Sequence, residues 1–443
     1  MAAVNVTDFI DGQRFSRLQL AVAIWCGVLV ALDGLDVQII AFVAPVIAPS
    51  WGVPIAAFGP IFGLGLLGFM LGALIAGPFA DRYGRKPVIV VSAAILGIFS
   101  LATADAHTLG QLLILRVLTG LGLGGVLPNA VALTSEYAPR RNRAMVIAVM
   151  FCGYSIGGGI SALVSARLIP AYGWPSAFVF GGVIPLLLAP AIYLWVPESI
   201  DFLAQRTRRS QQIAALLNRI AARAMFKGDE TFVIAEKNMK GFTVKHLFTE
   251  GRTATTLLLW LAFFCNLLVL YLLAAWLPAM MQAAGVPIGQ AIVFTAFLNL
   301  GGIIGTCALG PLMSRWGAAV VIAILHMLAA ISTVTIGVAG NNTTLLALGI
   351  FGAGFCVIGG LNFLNALASS KYPTAIRSTG VGWGLGIGRI GSIVGPIMAG
   401  VLLAGHVSLP QLYFIAAVPA LIVGLAVLPL GSRNEAVTPV LAD

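Results

Sequence analysis

The sequence predicts an all-α membrane protein with about twelve spanning helices, and three observations lead to that prediction. Of its 443 residues, 59% are hydrophobic and only 9% are charged, whereas a soluble domain carries roughly 25% charged residues. About twelve apolar segments of roughly 20 residues follow one another, each long enough to cross a hydrocarbon layer of ~30 Å. One long hydrophilic stretch near the middle separates these segments into two halves, which predicts two bundles of helices.

The distribution of basic residues predicts the topology. The formal net charge is +10, but the bases fall in alternate loops, and the positive-inside rule assigns such loops to the cytoplasm. Basicity therefore reports orientation in the membrane, and no nucleic-acid partner is expected. The basic residues concerned are Arg82, Arg85, Lys86, Arg140, Arg141, Arg143, Arg315, Lys371 and Arg377, with a further group between residues 206 and 252.

These assignments divide the chain into five sections. We expect a cytoplasmic N-terminus over residues 1–17, a six-helix bundle over 18–196, a cytoplasmic loop over 197–253, a second six-helix bundle over 254–431 and a cytoplasmic C-terminus over 432–443. The first apolar segment is too long to be the core of a signal peptide, so no cleaved signal is expected.

The central loop contains one amphipathic segment. Residues 211–226 place apolar side chains at helical spacing, with arginines on the opposite face. This pattern is typical of helices that lie in a membrane surface. We therefore predict one amphipathic helix along the inner surface of the membrane.

The chain contains five cysteines, all within predicted spans and none in a Cys-x-x-Cys pair. An odd number without such spacing predicts buried thiols, and neither a disulfide framework nor a metal site.

The first apolar segment, residues 18–47, carries the two acids Asp33 and Asp36. The spacing i, i+3 puts them on nearly the same helical face, and a charge at membrane depth costs on the order of 2.5–3.5 kcal/mol unless it meets a cavity or a partner. One interpretation is that the acids only fix helix packing through hydrogen bonds. We favour a functional role, because ionisable residues inside a membrane usually mark a transport pathway.

The fourth apolar segment contains Arg116, which must also be paired or face water. Counting ~1.5 Å per residue puts Arg116 ~10 Å from the outer end of its helix, and the two acids ~16–21 Å from the outer end of theirs. These levels are close enough for an ion pair or a water bridge. The alternative is that Arg116 extends along its helix to the membrane surface.

The loop after the second apolar segment combines glycine, acid and bases over a short interval. It resembles the GxxxDRxGRK motif of the major facilitator superfamily, which implies twelve transmembrane helices in two six-helix halves. By the same resemblance, Asp81 pairs with a basic residue and a helix N-terminus in a latch that holds the outward-facing state. Topological anchoring alone explains the bases but not the acid. The latch residues are Gly77, Asp81, Arg82, Gly84, Arg85 and Lys86, with Glu136 and Arg143 of the next cytoplasmic loop.

The second half repeats this loop. Residues 310–317 match residues 77–84 closely, with Ser314 in place of Asp81. An internal repeat of this kind indicates two related halves, and loss of the acid predicts a weaker second latch. His326, in the ninth apolar segment, is only a minor candidate, because a lone histidine on an apolar helix usually packs through hydrogen bonds.

Four charged residues lie centrally in the predicted spans: Asp33, Asp36, Arg116 and Arg389. Two acids and two arginines suit a cavity for a small anion with proton coupling, since an arginine attracts a carboxylate. Other polar or aromatic side chains are candidates to line it, although packing alone also explains each of them. The candidate substrate-binding residues are Arg389, Arg116, Gln38, Tyr154, Asn266, Tyr271, Asn299 and Trp383.

A finer resemblance covers most of the chain. Its motifs are the sequence DGLD at residues 33–36 and the stretches 116–125, 128–139, 266–278 and 372–396. Together these are similar to the aromatic acid:proton symporter family. The resemblance implies uptake of a small aromatic carboxylate, benzoate-like, across the bacterial cytoplasmic (inner) membrane and driven by the proton gradient. It also implies that the two acids are essential and that the fourth-helix arginine is tied to proton coupling.

Other classes of protein fit less well. A membrane enzyme needs convergent ligands or an activated nucleophile, whereas the four histidines are scattered, and a receptor usually brings an output domain. Two alternatives within transport stay open: another small organic anion, muconate-like or nicotinate-like, and proton-coupled export. No cofactor and no metal ion are expected, and the protein is expected to work as a monomer.

Overall fold

The computed structural model describes residues 3–204, 209–221, 226–233, 244–308, 312, 315–373 and 376–432. Within these ranges, twelve helices are long and apolar enough to cross a membrane. The predicted fold class, an all-α polytopic membrane protein, is confirmed. Ser314, which replaces the latch acid in the second half, lies outside the described residues.

The elements follow one another in simple order along the chain. They are β1 (Ala3–Asn5), α1 (Val6–Gly12), α2 (Arg17–Ser50), α3 (Phe58–Tyr83), α4 (Arg85–Thr103), α5 (Leu109–Tyr137), α6 (Arg143–Tyr172), α7 (Pro175–Trp195), α8 (Ile200–Ala204), α9 (Ser210–Ile220), β2 (Thr231–Val233), α10 (Thr253–Ala283), α11 (Ile288–Ala308), α12 (Ala318–Val338), α13 (Thr343–Lys371), α14 (Arg377–Ala404) and α15 (Leu409–Ser432), with short 3-10 turns at Ile55–Ala57 and Lys245–Phe248.

Local chemistry fixes several helix ends. At the start of α5, the hydroxyl oxygen of Thr108 accepts from the N–H of Gln111 at 3.2 Å. At the start of α13, the side chain of Asn342 accepts from the N–H of Leu345 at 3.1 Å. Such caps satisfy N–H groups that have no partner within the helix. Gly84, directly before α4, has a φ of 105°, a conformation that favours glycine.

Contacts divide the chain into two compact units. The first consists of Met1–Ile39, Leu64–Ser161 and Tyr172–Asn238, and the second of Ile40–Gly63, Ala162–Ala171 and Met239–Asp443. The units interleave along the chain, because α2, α3 and α6 each contribute residues to both.

In the first unit, glycines let helix backbones approach closely. A Cβ atom at Gly68 of α3 would collide with the backbone of Val117 in α5, and one at Gly124 of α5 would collide with the backbone of Phe69 in α3. Small residues in membrane helix pairs permit this kind of contact. The α3–α5 pair thereby holds the helix that carries Arg116.

The second unit uses the same kind of contact. A Cβ atom at Gly301 of α11 would collide with the backbone of Phe351 in α13, and one at Gly391 of α14 with the backbone of Phe264 in α10. The helices of the pairs α11–α13 and α10–α14 can therefore pack closely, because glycine has no side chain at the contact.

The N-terminus and part of the central loop fold together into a small cap, which consists of β1, α1, α9 and β2. The two strands pair in parallel, with Val4 opposite Phe232. The ring of Phe226 packs edge-on against Phe9 and Phe232, with centroids 5.2 and 5.6 Å apart. The sequence pattern did not predict these strands, because each is only three residues long.

Helix α9 corrects the prediction for the central loop. It ends at Ile220, short of the predicted end, and residues 222–225 lie outside the described ranges. Its apolar residues Ile213, Leu217 and Ile220 are buried in the hydrophobic core of the first unit, together with Val22 of α2. The apolar stripe therefore faces the protein and not the membrane surface, because the neighbouring helices offer it an apolar partner.

All five cysteines are free thiols. Cys26, Cys265 and Cys356 are buried, as the sequence predicts, whereas Cys152 is half-buried and Cys307 is exposed. The prediction of a buried thiol is therefore wrong for Cys307, which lies in the last turn of α11.

Candidate functional site

Asp36 and Arg116 form an ion pair inside the first unit. Nη2 of Arg116 donates to Oδ2 of Asp36 at 2.6 Å, and Nη1 donates to Oδ1 at 3.2 Å, so the guanidinium holds both carboxylate oxygens. The arginine side chain is 5% exposed and the aspartate side chain 1%. The contact expected from the helix rise is present, and Arg116 does not extend to the membrane surface.

Arg116 makes two further contacts that enclose its charge. Nη2 also donates to the backbone carbonyl of Asp36 at 3.4 Å, and the guanidinium carbon lies 5.7 Å from the ring centroid of Phe178. An aromatic face attracts a cation electrostatically. Because Phe178 is itself fully buried, the ring shields this side of the ion pair.

Gly34, between the two acids, brings this turn of α2 against α6. A Cβ atom at this position would overlap the backbone oxygen of Tyr154. Further along α6, Ser161 donates from its hydroxyl to the carbonyl of Leu35 at 3.0 Å. The glycine is therefore required for helix packing, while the acids on either side of it supply the charge.

Asp33 lies one turn before Asp36 on the same helix and is 2% exposed. Gln38 is buried as well, and Tyr154 is half-buried. Two carboxylates one turn apart repel each other when both are charged.

The second unit contains the other predicted anion-binding residue, Arg389. Its Nη1 donates to the hydroxyl oxygen of Tyr271 at 3.0 Å, which joins α14 to α10. Tyr271 is buried and Arg389 is half-buried. This hydrogen bond links the Arg389 guanidinium to a hydroxyl group, whereas Arg116 is bonded to a carboxylate.

Asn299 and Trp383, two other predicted lining residues, make different contacts. Nδ2 of Asn299 donates to the carbonyl of Thr295 in its own helix at 3.4 Å. Trp383 is 43% exposed and stacks on Trp260 with ring centroids 5.8 Å apart.

Asn266 belongs to a polar cluster with His326. Its Nδ2 lies 2.8 Å from Nε2 of His326 and donates to the carbonyl of Val357 at 3.2 Å. Nδ1 of His326 lies 2.8 Å from the carbonyl oxygen of Ile322. These contacts favour the packing interpretation that the sequence left open for both residues.

The predicted latch region of the first unit contains an ion pair between Arg85 and Glu136. Nη2 of Arg85 lies 2.8 Å from Oε1 of Glu136, and the hydroxyl of Ser199 donates to the other carboxylate oxygen at 2.6 Å. The first residue of α4 is thereby linked to the last turn of α5 and to the segment after α7.

Glu198 provides the carboxylate that caps α4. Its Oε1 accepts from the N–H groups of Arg85 at 2.8 Å, Lys86 at 3.1 Å and Ser199 at 2.8 Å. Negative charge at a helix N-terminus is stabilising. Glycine at position 84 leaves room for the carboxylate of Glu198, because a Cβ atom there would collide with it. Sequence reasoning missed Glu198, because its role depends on the N–H groups of a helix more than 100 residues earlier in the chain.

The acid of the loop motif itself, Asp81, is exposed. The neighbouring Arg82 has its guanidinium 5.4 Å from the ring centroid of Tyr83. Among the described residues, no atom outside the adjoining turns of its own helix lies within 4 Å of the position that a Cβ of Gly77 would take. The pairing of Asp81 with a base and a helix N-terminus stays a prediction.

Lys86 and Arg143 complete the predicted latch residues. The ammonium of Lys86 lies 5.0 Å from the ring centroid of Tyr193, and Nε of Arg143 donates to the carbonyl of Ala138 at 3.3 Å.

Asp201, in the short helix α8, adds another acid to this region. Burial raises the pKa of its carboxyl, while the positive charges of Arg85 and Arg143 oppose that shift.

Twelve helices of the described part of the chain are long and apolar enough to span a membrane, and one unit buries an ion pair. These features define a polytopic membrane protein. The sequence matches the Major Facilitator Superfamily over residues 26–396 and 259–441, and the chain belongs to that superfamily of transporters.

Two relatives are similar over nearly the whole chain. The gallate transporter of Pseudomonas putida is 39% identical over 439 residues, covering 99% of this chain and 97% of the relative. The 4-hydroxybenzoate transporter PcaK of Pseudomonas putida is 39% identical over 435 residues, covering 98% and 97%. The family and both relatives are transporters, so this chain is a transporter and not an enzyme.

The fold is similar to that of a solved transporter. The inward-open xylose transporter XylE from E. coli superimposes with a TM-score of 0.72 and 16% identity, covering 92% of this chain and 95% of the other. At this level of identity the similarity shows the fold alone.

Proposed function

We propose that the chain is a proton-coupled symporter that imports a small aromatic carboxylate by alternating access. The proposal places it in the bacterial cytoplasmic membrane, with its termini and basic loops in the cytoplasm. It is supported by the similarity to transporters of gallate and 4-hydroxybenzoate, both of which are small aromatic carboxylates.

The ion pair of Asp36 and Arg116 is the observation that carries the proposal. The two side chains meet at 2.6 Å and are nearly inaccessible to solvent, within helices that span the membrane. Ion pairs buried this deeply rarely add net stability, because desolvation of both charges offsets their attraction. In a membrane-spanning segment, charged groups are instead associated with the movement of ions and protons.

The proposal gives the two acids different roles. Asp36 serves as the structural partner of Arg116, which bonds both of its carboxylate oxygens. Asp33 takes the transported proton, since a second negative charge one turn away from Asp36 in an apolar helix is unfavourable.

Arg389 binds the substrate carboxylate. Its guanidinium is oriented by the hydroxyl of Tyr271, and the residue is only half-buried, whereas the side chain of Arg116 is 5% exposed. A guanidinium and a carboxylate match each other as a bidentate pair.

Coupling follows from the charges of the two cargoes. A proton and a carboxylate together add no net charge to the buried groups, which lowers the cost of carrying the substrate through the bilayer. Each cargo therefore favours binding of the other, and this coupling is reciprocal.

Uptake of labelled 4-hydroxybenzoate into proteoliposomes tests the proposal. With the outside more acidic than the inside, the wild-type protein is expected to accumulate the acid above its outside concentration, and a protonophore is expected to abolish accumulation. Equal concentrations on both sides, with or without the gradient, would contradict proton coupling. Accumulation only when the gradient is inverted would instead indicate export.

Competition in the same assay tests the substrate class. Unlabelled benzoate and gallate are expected to inhibit uptake more strongly than nicotinate or muconate at equal concentration. The reverse order would indicate that the transported substrate belongs to another class of small organic anion.

A further inference from the structure

The contact between Asn266 and His326 permits only one arrangement of hydrogens. The carbonyl of Ile322 can only accept, so Nδ1 of His326 carries the hydrogen and donates to it at 2.8 Å. The carbonyl of Val357 likewise fixes the amide of Asn266, whose Nδ2 donates to it at 3.2 Å and to Nε2 of His326 at 2.8 Å. The imidazole is therefore neutral, with both ring nitrogens used.

This cluster joins three helices at one buried point. Asn266 comes from α10, His326 from α12 and the Val357 carbonyl from α13, and the two side chains are 0% and 1% exposed. A buried amide in apolar surroundings has no water as an alternative partner. The two hydrogen bonds of Asn266 tie α10 to α12 and α13 and so contribute to holding its rotation about its own axis.

The backbone of α13 is shaped to receive the imidazole. A Cβ atom at Gly360 would lie 2.6 Å from Cε1 of His326, closer than real side chains approach. Glycine at this position leaves room for the ring beside α13, so the position of His326 depends on a neighbouring helix as well as on its own.

Rotation of α10 controls the contact that orients Arg389. Tyr271 follows Asn266 by five residues on the same helix, ~7.5 Å along its axis. A rotation of about 15° moves an atom that lies ~6 Å from the helix axis by about 1.5 Å. A shift of that size breaks the hydrogen bond of 3.0 Å between Tyr271 and Arg389.

We infer that His326 is a positioning residue for the carboxylate site. It acts through Asn266 on the rotation of α10, and through Tyr271 on the orientation of Arg389. The inference rests on the proposed function in one respect, namely that Arg389 binds the substrate carboxylate. It assigns no transported proton to His326.

A double-mutant cycle on uptake of labelled 4-hydroxybenzoate tests the path. His326→Leu is expected to raise KM about tenfold, with the maximal rate within about twofold of wild type, since a misplacement of ~1 Å can cost up to about 100-fold. In a Tyr271→Phe background, the same change is expected to raise KM by less than about twofold, because the path is already interrupted. An unchanged KM in His326→Leu, or equal effects in both backgrounds, would overturn the inference.

A conservative variant and a matched control separate positioning from general packing. His326→Gln keeps an acceptor for Asn266, so its KM is expected to stay within about threefold of wild type, with an unchanged pH profile. Thr333→Val removes a buried hydroxyl of α12 that bonds only the Ala329 carbonyl of its own helix, at 2.7 Å, and is expected to leave KM unchanged. A shifted pH profile in His326→Gln, or a KM raised by Thr333→Val as much as by His326→Leu, would contradict the positioning role.

A measurement without substrate keeps the test independent of the proposed function. Fluorine NMR of protein with 3-fluorotyrosine incorporated at Tyr271 reports the surroundings of the hydroxyl. The signal is expected to shift in His326→Leu and to stay in place in His326→Gln and Thr333→Val. If the wild type takes up no aromatic acid, the proposed function fails. The comparison of fluorine signals still tests whether His326 affects the position of Tyr271. An unmoved signal in His326→Leu would refute the path.

Gly360→Ala provides a second variant if His326→Leu does not insert into the membrane. The added methyl group displaces the imidazole while every polar side chain of the cluster remains. It is expected to raise KM and to shift the fluorine signal in the same direction as His326→Leu. Wild-type values for both measurements would overturn the inference.

Discussion

Arg116 bonds both carboxylate oxygens of Asp36, and the same guanidinium also bonds the backbone carbonyl of that aspartate. Three hydrogen bonds between two residues on different helices fix the position of α2 relative to α5 at the level of the acids. The pair therefore supplies both a fixed charge and a fixed distance within the first unit.

Removal of one partner of this pair is expected to destabilise the protein more than removal of both. Asp36→Asn or Arg116→Gln leaves an uncompensated buried charge, which typically costs about 3–5 kcal/mol. The double variant Asp36→Asn with Arg116→Gln is expected to recover much of the apparent melting temperature and none of the gradient-driven uptake. A double variant less stable than either single variant would contradict this account of the pair.

Asp33→Asn is expected to separate binding from proton coupling. An amide imitates the protonated carboxyl, so substrate binding and exchange of labelled for unlabelled 4-hydroxybenzoate across the membrane persist, while accumulation against a gradient is lost. Asp36→Asn is expected to lose both activities, because the partner of Arg116 is gone. Full accumulation by Asp33→Asn would argue against a proton role for this residue.

Arg389→Ala is expected to weaken substrate binding about 10-fold to 100-fold, because a hydrogen bond to a charged group is worth about 1.5–3 kcal/mol. Tyr271→Phe removes only the orienting hydroxyl and is expected to have a smaller effect in the same direction. Titration calorimetry with 4-hydroxybenzoate measures both. An unchanged affinity in Arg389→Ala would indicate that the substrate carboxylate binds at Arg116 instead.

Glu198→Gln and Asp81→Asn form a matched pair of charge removals. Glu198→Gln is expected to lower the melting temperature, because the carboxylate caps α4 and a charge at that position is worth about 0.3–1 kcal/mol. Asp81→Asn is expected to leave stability unchanged, since Asp81 is exposed, and to alter the rate of turnover with little effect on affinity. Equal melting temperatures for the two variants would show that the cap contributes no stability.

Asp201→Asn is expected to raise the melting temperature in a pH-dependent way. Burial raises the pKa of Asp201 above its ordinary value of 3.8, so at higher pH the unfolded chain releases a proton that the folded chain retains. Stability therefore falls as pH rises from that value to the pKa of the folded state, and the loss is complete above it. The gain from Asp201→Asn is expected at neutral pH and absent near pH 3.8. The same change at the exposed Asp229 serves as the control, and equal gains at every pH would contradict the assignment.

Sequence reasoning reached the features that follow from helix geometry. The contact between Asp36 and Arg116 could be predicted because both lie in long regular helices, in which the rise per residue converts position in the sequence into depth. Apolar length and the placement of bases likewise predicted the spanning helices, since both depend on the bilayer and not on tertiary detail.

Features that depend on which helices become neighbours could not be predicted from the sequence. Nothing local distinguishes Glu198 from any other acid in a loop, because its role arises from the N–H groups of a helix more than 100 residues earlier. The same applies to Asn266 and His326, whose residue types fit a cavity and a packed core equally well. For α9, an apolar stripe looks the same in sequence whether it covers a membrane or another helix.

The pairing of Ala3 with Thr231 has a consequence for biosynthesis. Six spanning helices leave the ribosome between these two residues, so β1 has no partner strand until all of them have been made. A contact between residues so distant in sequence forms slowly. The first unit of the transporter therefore completes its fold only after translation has passed into the central loop, and a truncation placed before residue 231 would leave the amino-terminal strand unmatched.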